Sequence, residues 1–356
     1  MIKKLCIFTF SYSKNREVML KYLEKIFPED IEVFLFTTKS HKSSYKLDKI
    51  KIVDTNCSKI GSFTALRKFC RRNKIQRIIS LGLLPYEEFV LLFSTLFSRT
   101  DFLYFNLGNP AEGFKVGSVY LRLISIFEIF FSYILSPFPK KIILPSIDLT
   151  DLVKRYLFFS RKKIFYLAPT LSTKRFYPKD KNKIRKRLGF KKEDKIIIYV
   201  GRIGFLKGSD IFSYVIEKNP DKKFIIIGNL VDKNFKNTNS SNVIFLPPKP
   251  NEDLVDYYNA SDLCFFPTRI EGLPVVPREA MSCGIPVIIS DILPVKSMKY
   301  AIKVKINKEK MNNAIQEFFN LSSFERKELS EKSRKFVIEN YEDDSWKEEY
   351  IKKILN

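Results

Sequence analysis

The stretch from Ala260 to Ile292, ASDLCFFPTRIEGLPVVPREAMSCGIPVIISDI, constrains the fold more than any other part of the chain. Two short apolar runs, Leu263–Phe266 and Val287–Ile289, read as buried parallel strands. Between them a Gly/Pro-bearing turn leads into a short helix expected to begin near Val275. In open α/β sheets, ligands bind at the carboxyl ends of strands, where such turns lie. The turn carries Glu271 and the helix carries Glu279, a separation of a little over two helical turns. Both carboxylates can therefore face one ligand. Free N–H groups at the helix start, near Gly272 to Val275, favour an anion between them. Carboxylates accept from hydroxyls and a helix end takes phosphate. A ligand with sugar hydroxyls at both ends and phosphate in the middle fits this pattern. An unpaired buried carboxylate is costly, so Glu271 and Glu279 are expected to be solvated or to face the ligand.

The whole run E-G-L-P-V-V-P-R-E-A-M-S-C-G-I-P-V, with a strand before and after it, resembles the signature of one enzyme family. This is the retaining, nucleotide-sugar-dependent glycosyltransferases of the GT-B architecture, family four (glycosyl transferases group 1). The resemblance is strongest from about Ile142 to Asp291. It implies an α/β fold of two Rossmann-like parallel-sheet domains facing a cleft, with a C-terminal helical tail. On that basis residues 1–170 form an acceptor-binding domain and 171–340 a nucleotide-sugar-binding domain. Residues 341–356 form a last helix returning to the first domain, with Trp346 as a candidate anchor or a simple core residue.

The rest of the chain agrees with alternating strands and helices. Strands are predicted over 5–10, 31–37, 49–53, 77–81, 102–105, 142–144 and 164–167, with helical patterns such as 63–72 and 86–97 between them. The segment Ala168-Pro169 to Tyr177-Pro178 breaks the pattern and is expected to be the linker. After it come a basic helix, Lys181–Leu188, and strands at 195–200, 223–227, 243–246, 263–266 and 287–289, with a helix expected after each. Three further helices are expected over 312–319, 323–340 and 343–355.

A second strand–loop–helix turn, Y-V-G-R-I-G-F-L-K-G-S-D over Tyr199–Asp210, is placed at the same sheet edge as Glu271. Gly201, Gly204 and Gly208 allow close backbone approach to a ligand, and Arg202 and Lys207 add two positive charges. The order Lys-Gly-Ser is not that of a P-loop. No Asp-x-Asp on an apolar strand is visible, so no metal site is expected. A departing nucleotide diphosphate gains charge that either a metal or a set of cations and helix ends must neutralise. The resemblance assigns the diphosphate grip to Arg202 and Lys207. It gives Glu271 the donor-sugar hydroxyls, Gly272, Leu273 and Pro274 the diphosphate, and Glu279 the ribose. The base would rest near the loop after Ile227 and around Pro247–Lys249. Gly201, Arg202, Lys207, Glu271, Gly272, Leu273, Pro274 and Glu279 are thus the expected donor site, with Glu271, Arg202 and Lys207 the catalytic candidates.

The chain departs from the family in its first half. Phe10-Ser11-Tyr12-Ser13 stands where a Gly-Gly is common, and the lone histidine, His41, lies in a polar loop. The region equivalent to the family's first-domain histidine carries Asn106 and Asn109, which can hydrogen-bond a sugar or acceptor but cannot act as a base. Retaining transfer in such enzymes needs no protein nucleophile.

The net charge of +24 attracts anionic partners: phosphorylated substrates, acidic headgroups or nucleic acid. No nucleic-acid recognition motif accompanies it, so no nucleic-acid partner is expected. The five cysteines show no metal-ligand spacing, and Cys6, Cys264 and Cys283 sit in apolar runs as buried small hydrophobes, consistent with a reducing compartment. The start, MIKKLCIFTFSYSKN, reads as a first strand and not a signal peptide. No run is long and apolar enough for a membrane span. Ser118–Phe138 is expected to be a buried amphipathic helix, the alternative being a helix lying in a bilayer surface backed by Lys140–Lys141.

The expected function is a metal-independent hexosyltransferase without a cofactor. It moves sugar from a nucleotide-diphosphate donor, expected to be a UDP-sugar, to a hydroxyl of a surface or lipid-linked glycan. The location expected is cytoplasmic, peripheral on the inner face of the plasma membrane. The alternative is an inactive glycan- or partner-binding protein of the same fold.

Overall fold

The computed structural model describes residues 2–10, 14–38, 47–58, 61–80, 85–105, 119–168, 171–235, 240–271, 274–292 and 298–356. His41, Asn106, Asn109, Gly272 and Leu273 lie outside them. The chain forms two compact units, Met1–Ala168 with Trp346–Asn356, and Pro169–Ser345.

The first unit follows the strand–helix alternation of the sequence: β1 (Lys4–Thr9), α1 (Lys14–Ile26), β2 (Glu32–Thr37), β3 (Ile50–Asp54), α2 (Ser62–Asn73), β4 (Arg77–Ser80), α3 (Pro85–Thr95), β5 (Asp101–Phe105), α4 (Val119–Leu135), β6 (Lys141–Leu144), α5 (Ile147–Tyr156) and β7 (Ile164–Tyr166). All seven strands pair in parallel in the order β3-β2-β1-β4-β5-β6-β7. Their near-continuous apolar runs are what a sheet covered on both faces requires, and Leu5, Cys6, Ile7 and Phe8 are all fully buried. One core cluster packs Leu5, Ile7, Leu35 and Leu103 with Tyr350 and Ile354. The last two residues lie on α12 (Asp343–Leu355), which therefore completes this unit's core. Trp346 packs edge-on against Tyr166, ring centroids 5.4 Å apart. Tyr350 donates to the Ala168 carbonyl at 2.7 Å. Buried Arg77 donates to the Ile354 carbonyl at 2.6 Å, while its Nε and Nη2 hold Asp101 at 2.5 and 2.7 Å.

The second unit contains α6 (Lys181–Leu188), β8 (Ile196–Val200), α7 (Ser209–Lys218), β9 (Lys223–Ile227), β10 (Val243–Leu246), α8 (Asn251–Ala260), β11 (Leu263–Phe266), α9 (Val275–Ser282), β12 (Val287–Ser290), β13 (Ile302–Val304), α10 (Lys308–Asn320) and α11 (Ser323–Tyr341). Local signals place its helix ends. Asp180 caps α6 by accepting from Lys183 N–H, Gly189 closes that helix in the left-handed region, and Ser322 and Glu325 form a reciprocal box at α11. The six-stranded parallel sheet runs β10-β9-β8-β11-β12-β13. Its order reverses between β8 and β11, so the crevice outside their carboxyl ends is the natural ligand position.

Two expectations are corrected. No α-helix follows β9 or β12 among the described residues, where the next elements are β10 and β13. And α4 is not a buried amphipathic helix: Val119, Tyr120, Leu123, Ile126, Phe127, Phe130, Tyr133 and Ile134 are all exposed. This apolar arc faces out, while Ser125 and Leu135 are buried.

Candidate functional site

The loop after β8 and the turn after β11 meet at the switch point. Gly201 follows the end of β8, and Ile203 bridges to Leu230 beyond β9. A single 3-10 turn over Phe205–Lys207 then delivers Gly208, at φ +81°, to the start of α7. A Cβ on Gly208 would stand 2.3 Å from the Pro267 carbonyl oxygen just past β11, so only glycine lets the two loops touch. Gly228, at the end of β9, is held as closely: a Cβ there would lie 1.8 Å from the Gly201 carbonyl oxygen.

These contacts carry Lys207 to Glu271. The Lys207 ammonium donates to the Ile270 carbonyl at 2.8 Å and to a Glu271 carboxylate oxygen. Both side chains keep about a quarter of their surface in solvent, 23% and 27%. Arg269 fastens the same wall. It grips Asp210 with two bonds of 2.7 and 2.8 Å, donates to the Phe205 carbonyl at 2.6 Å and stacks over the Phe205 ring at 4.1 Å. Ser209 donates to Asp232, and that bond, with the Asn234 N–H, holds the Asp232 carboxyl below its ordinary value. Arg202 is exposed, and its carbonyl accepts the buried Tyr199 hydroxyl at 2.7 Å. Burial, then the Glu271 charge, push that hydroxyl well above its usual range.

Two helices start here without a side-chain cap: α7 at Gly208 and α9 at Pro274. Their first-turn N–H groups and positive dipole ends suit an anion. Arg202, Lys207 and Glu271, with Pro274 at the head of α9, thus belong to one sheet edge. Gly272 and Leu273, between Glu271 and Pro274, lie outside the described residues. Pro247–Lys249 follows β10, two strands away from β8.

Glu279 differs from expectation. It is 5% exposed and neither solvated nor open to a ligand. The buried Tyr258 hydroxyl of α8 donates to it at 2.8 Å. Burial raises its carboxyl to about 7, against the pull of Tyr258, Arg278 and Arg175. Arg278 is itself buried, donating to the Pro274 carbonyl at 3.1 Å and lying 4.7 Å over the Tyr341 ring. The physical reason is the direction of α9: its second turn points into the unit, where Tyr258 supplies the partner that makes burial tolerable.

This predicts a pH signature. An unfolded glutamate releases its proton near 4.5, whereas folded Glu279 keeps it to about 7. Across that window the folded chain binds more protons, so stability falls as pH rises and levels above it. Glu279→Gln removes that slope. Denaturant unfolding at pH 5 and pH 8 should show the variant gaining about 3 kcal/mol on the wild type between the two. Parallel pH curves would overturn the burial of this carboxyl.

Among the described residues no group of three or more His, Cys, Asp or Glu side chains could hold a metal ion. All five cysteines are free, and Cys6, Cys70, Cys264 and Cys283 are buried.

Residues 180–336 match the family model described as glycosyl transferases group 1. The match covers less than half of the chain. A D-inositol 3-phosphate glycosyltransferase of Mycobacterium sp. (strain KMS) is 34% identical over 146 residues, which are 37% of this chain and 33% of that protein. A namesake from Rhodococcus jostii (strain RHA1) is 28% identical over 160 residues, 40% of this chain and 35% of its own. The chain thus spans about a third of the length of these curated relatives. Among solved structures, a sucrose-phosphate synthase from Thermosynechococcus elongatus superposes with a TM-score of 0.79 at 17% identity, covering 98% of both chains. Anabaena Alr3699/HepE, in complex with UDP and glucose, gives 0.75 at 11% identity over 100% of both. Such distant likenesses establish the fold, GT-B. Within the group 1 segment lie Arg202, Lys207, Glu271, Pro274 and Glu279. Tyr258, which holds Glu279, and Arg269 and Asp232, which tie down Phe205, Ser209 and Asp210, carry no sequence signal of their own.

Proposed function

We propose that this protein is a retaining glycosyltransferase that moves a sugar from a UDP-sugar to a hydroxyl of a surface or lipid-linked glycan. The observation that carries this reading is the Lys207–Glu271 pair, set between two uncapped helix starts in a segment that matches the glycosyl transferases group 1 family. Glu271 accepts hydrogen bonds from hydroxyls of the donor sugar. Lys207 and Arg202 face the diphosphate, whose charge grows as the bond to the anomeric carbon breaks. The acceptor hydroxyl attacks from the face the diphosphate leaves, and a donor phosphate oxygen takes its proton. Cations and helix ends do the work of a divalent metal, so transfer is metal-independent and needs no cofactor. Glu279, held from within by Tyr258, offers its carboxyl to the ribose only if α9 adjusts. Pro247–Lys249 borders the base. The first unit, with Asn106 and Asn109, takes the acceptor. We place the protein in the cytoplasm, peripheral on the inner face of the plasma membrane. A solved structure of the same fold, in complex with UDP and glucose, supports the choice of UDP.

A thermal-shift series with UDP, GDP, ADP, TDP and CMP in EDTA tests the donor assignment. UDP at about 100 times its dissociation constant should raise the second unit's midpoint by roughly 5–10 °C, unchanged by added magnesium. A shift with another nucleotide alone would replace the base. No shift with any of them would move the reading to an inactive binding protein.

A further inference from the structure

The outward apolar face of α4 has no role in donor chemistry. At about 100° per residue its eight exposed apolar positions fall within an arc about 140° wide. Neighbouring elements extend it. Phe131 of α4 meets Phe89 of α3 with ring centroids 5.2 Å apart, and Tyr133 meets Phe159, 71% exposed, at 6.0 Å. Leu96, Phe97 and Phe138 line a cavity of about 290 Å³ together with Lys140, and Phe97 is 90% exposed. Ser136 and Ser160, hydrogen-bonded at 2.8 Å, tie the end of α4 to the turn bearing Phe159. The result is one apolar surface from three segments, larger than the scattered exposed side chains a soluble surface carries.

Its rim is cationic. Arg99, Arg122, Lys140, Arg161 and Lys162 are all exposed on these same segments. Asp101, which shares the cavity with Lys140, has both oxygens on Arg77 and pairs with Lys140 at 3.2 Å, so Arg99, Arg122, Arg161 and Lys162 carry the rim's net positive charge. Aromatic and aliphatic side chains facing out, flanked by exposed cations, match a bilayer whose headgroups are anionic. No helix among the described residues is long and apolar enough to cross a membrane, so α4 would lie in the surface plane.

We infer that α4, the end of α3 and the Phe158–Lys163 turn form a docking face that inserts into the headgroup region of an anionic bilayer. This deepens the membrane-peripheral part of the reading above and is independent of donor chemistry. The test is co-sedimentation with phosphatidylcholine vesicles, with and without phosphatidylglycerol. The wild type should pellet with the phosphatidylglycerol vesicles. Phe97→Glu combined with Leu123→Glu should weaken this at least tenfold, and Arg161→Glu with Lys162→Glu should weaken it and its salt sensitivity. All these positions are exposed, and unchanged melting curves confirm folding. No pelleting of the wild type would overturn the inference. So would pelleting that the apolar variant leaves intact, which would mean charge attraction without insertion. A dimer in solution that the apolar variant dissolves, without vesicle binding, would assign the face to a second copy. Neither vesicles nor readout involve a nucleotide sugar, so failure here leaves the donor site untouched.

Discussion

Lys207→Ala should lower kcat/KM for sugar transfer by roughly 10- to 150-fold, the worth of one charge-assisted hydrogen bond of about 1.5–3 kcal/mol to the departing diphosphate. Glu271→Ala should cost a similar factor by releasing the donor sugar from its hydroxyl partner. The two groups touch, so their effects should not add: once Lys207 is gone, Glu271 faces the diphosphate with its charge uncompensated. The double variant should therefore lose less than the product of the single losses. Folding offers a clean contrast. The pair is partly solvated, and such pairs contribute at most about 1 kcal/mol, so melting temperatures should move only a few degrees. Steady-state transfer assays on the three variants decide the matter. Full activity in Lys207→Ala and Glu271→Ala would sink the site assignment.

Gly228→Ala should destabilise the second unit by about 3–5 kcal/mol and abolish nucleotide-dependent stabilisation. Its Cβ would meet a backbone oxygen, that of Gly201, at 1.8 Å, and no side-chain rotation can relieve such a clash. Gly208→Ala should act the same way against Pro267. Gly189 is the control: its φ of +78° matches that of Gly208, but nothing lies within 4 Å of its added Cβ. Gly189→Ala should therefore cost only the dihedral penalty, about 1–2 kcal/mol. Chemical denaturation of the three variants separates the two costs. Equal losses at Gly189 and Gly228 would show that the loops do not need the close approach.

The strands were legible because parallel strands buried on both faces spell continuous apolar runs, as Ile196–Val200 and Leu263–Phe266 do. β13 escaped because it has three half-buried residues with Lys303 at its centre, and among the described residues it pairs with β12 alone. The turn chemistry of the site was legible in Gly201 to Gly208 and in Glu271, since local backbone demands leave local residue types. The state of Glu279 was not. Its partner Tyr258 sits on another helix, and no spacing in the chain announces a hydroxyl arriving through the fold. Nor could periodicity tell which way α4 faces. An apolar arc looks the same whether a core or a bilayer is to cover it.

The interrupted make-up of the first unit has a consequence for biosynthesis. Translation is vectorial, and domains tend to fold as they emerge. The first unit's strands are made before any of the second unit, yet its core includes Tyr350 and Ile354, and its buried Arg77 needs the Ile354 carbonyl. Between these parts the ribosome must deliver the whole of Pro169–Ser345. The unit begun earliest is thus finished latest. During that interval Arg77 has only Asp101 for company, and a nascent apolar surface waits for chaperones or for α12.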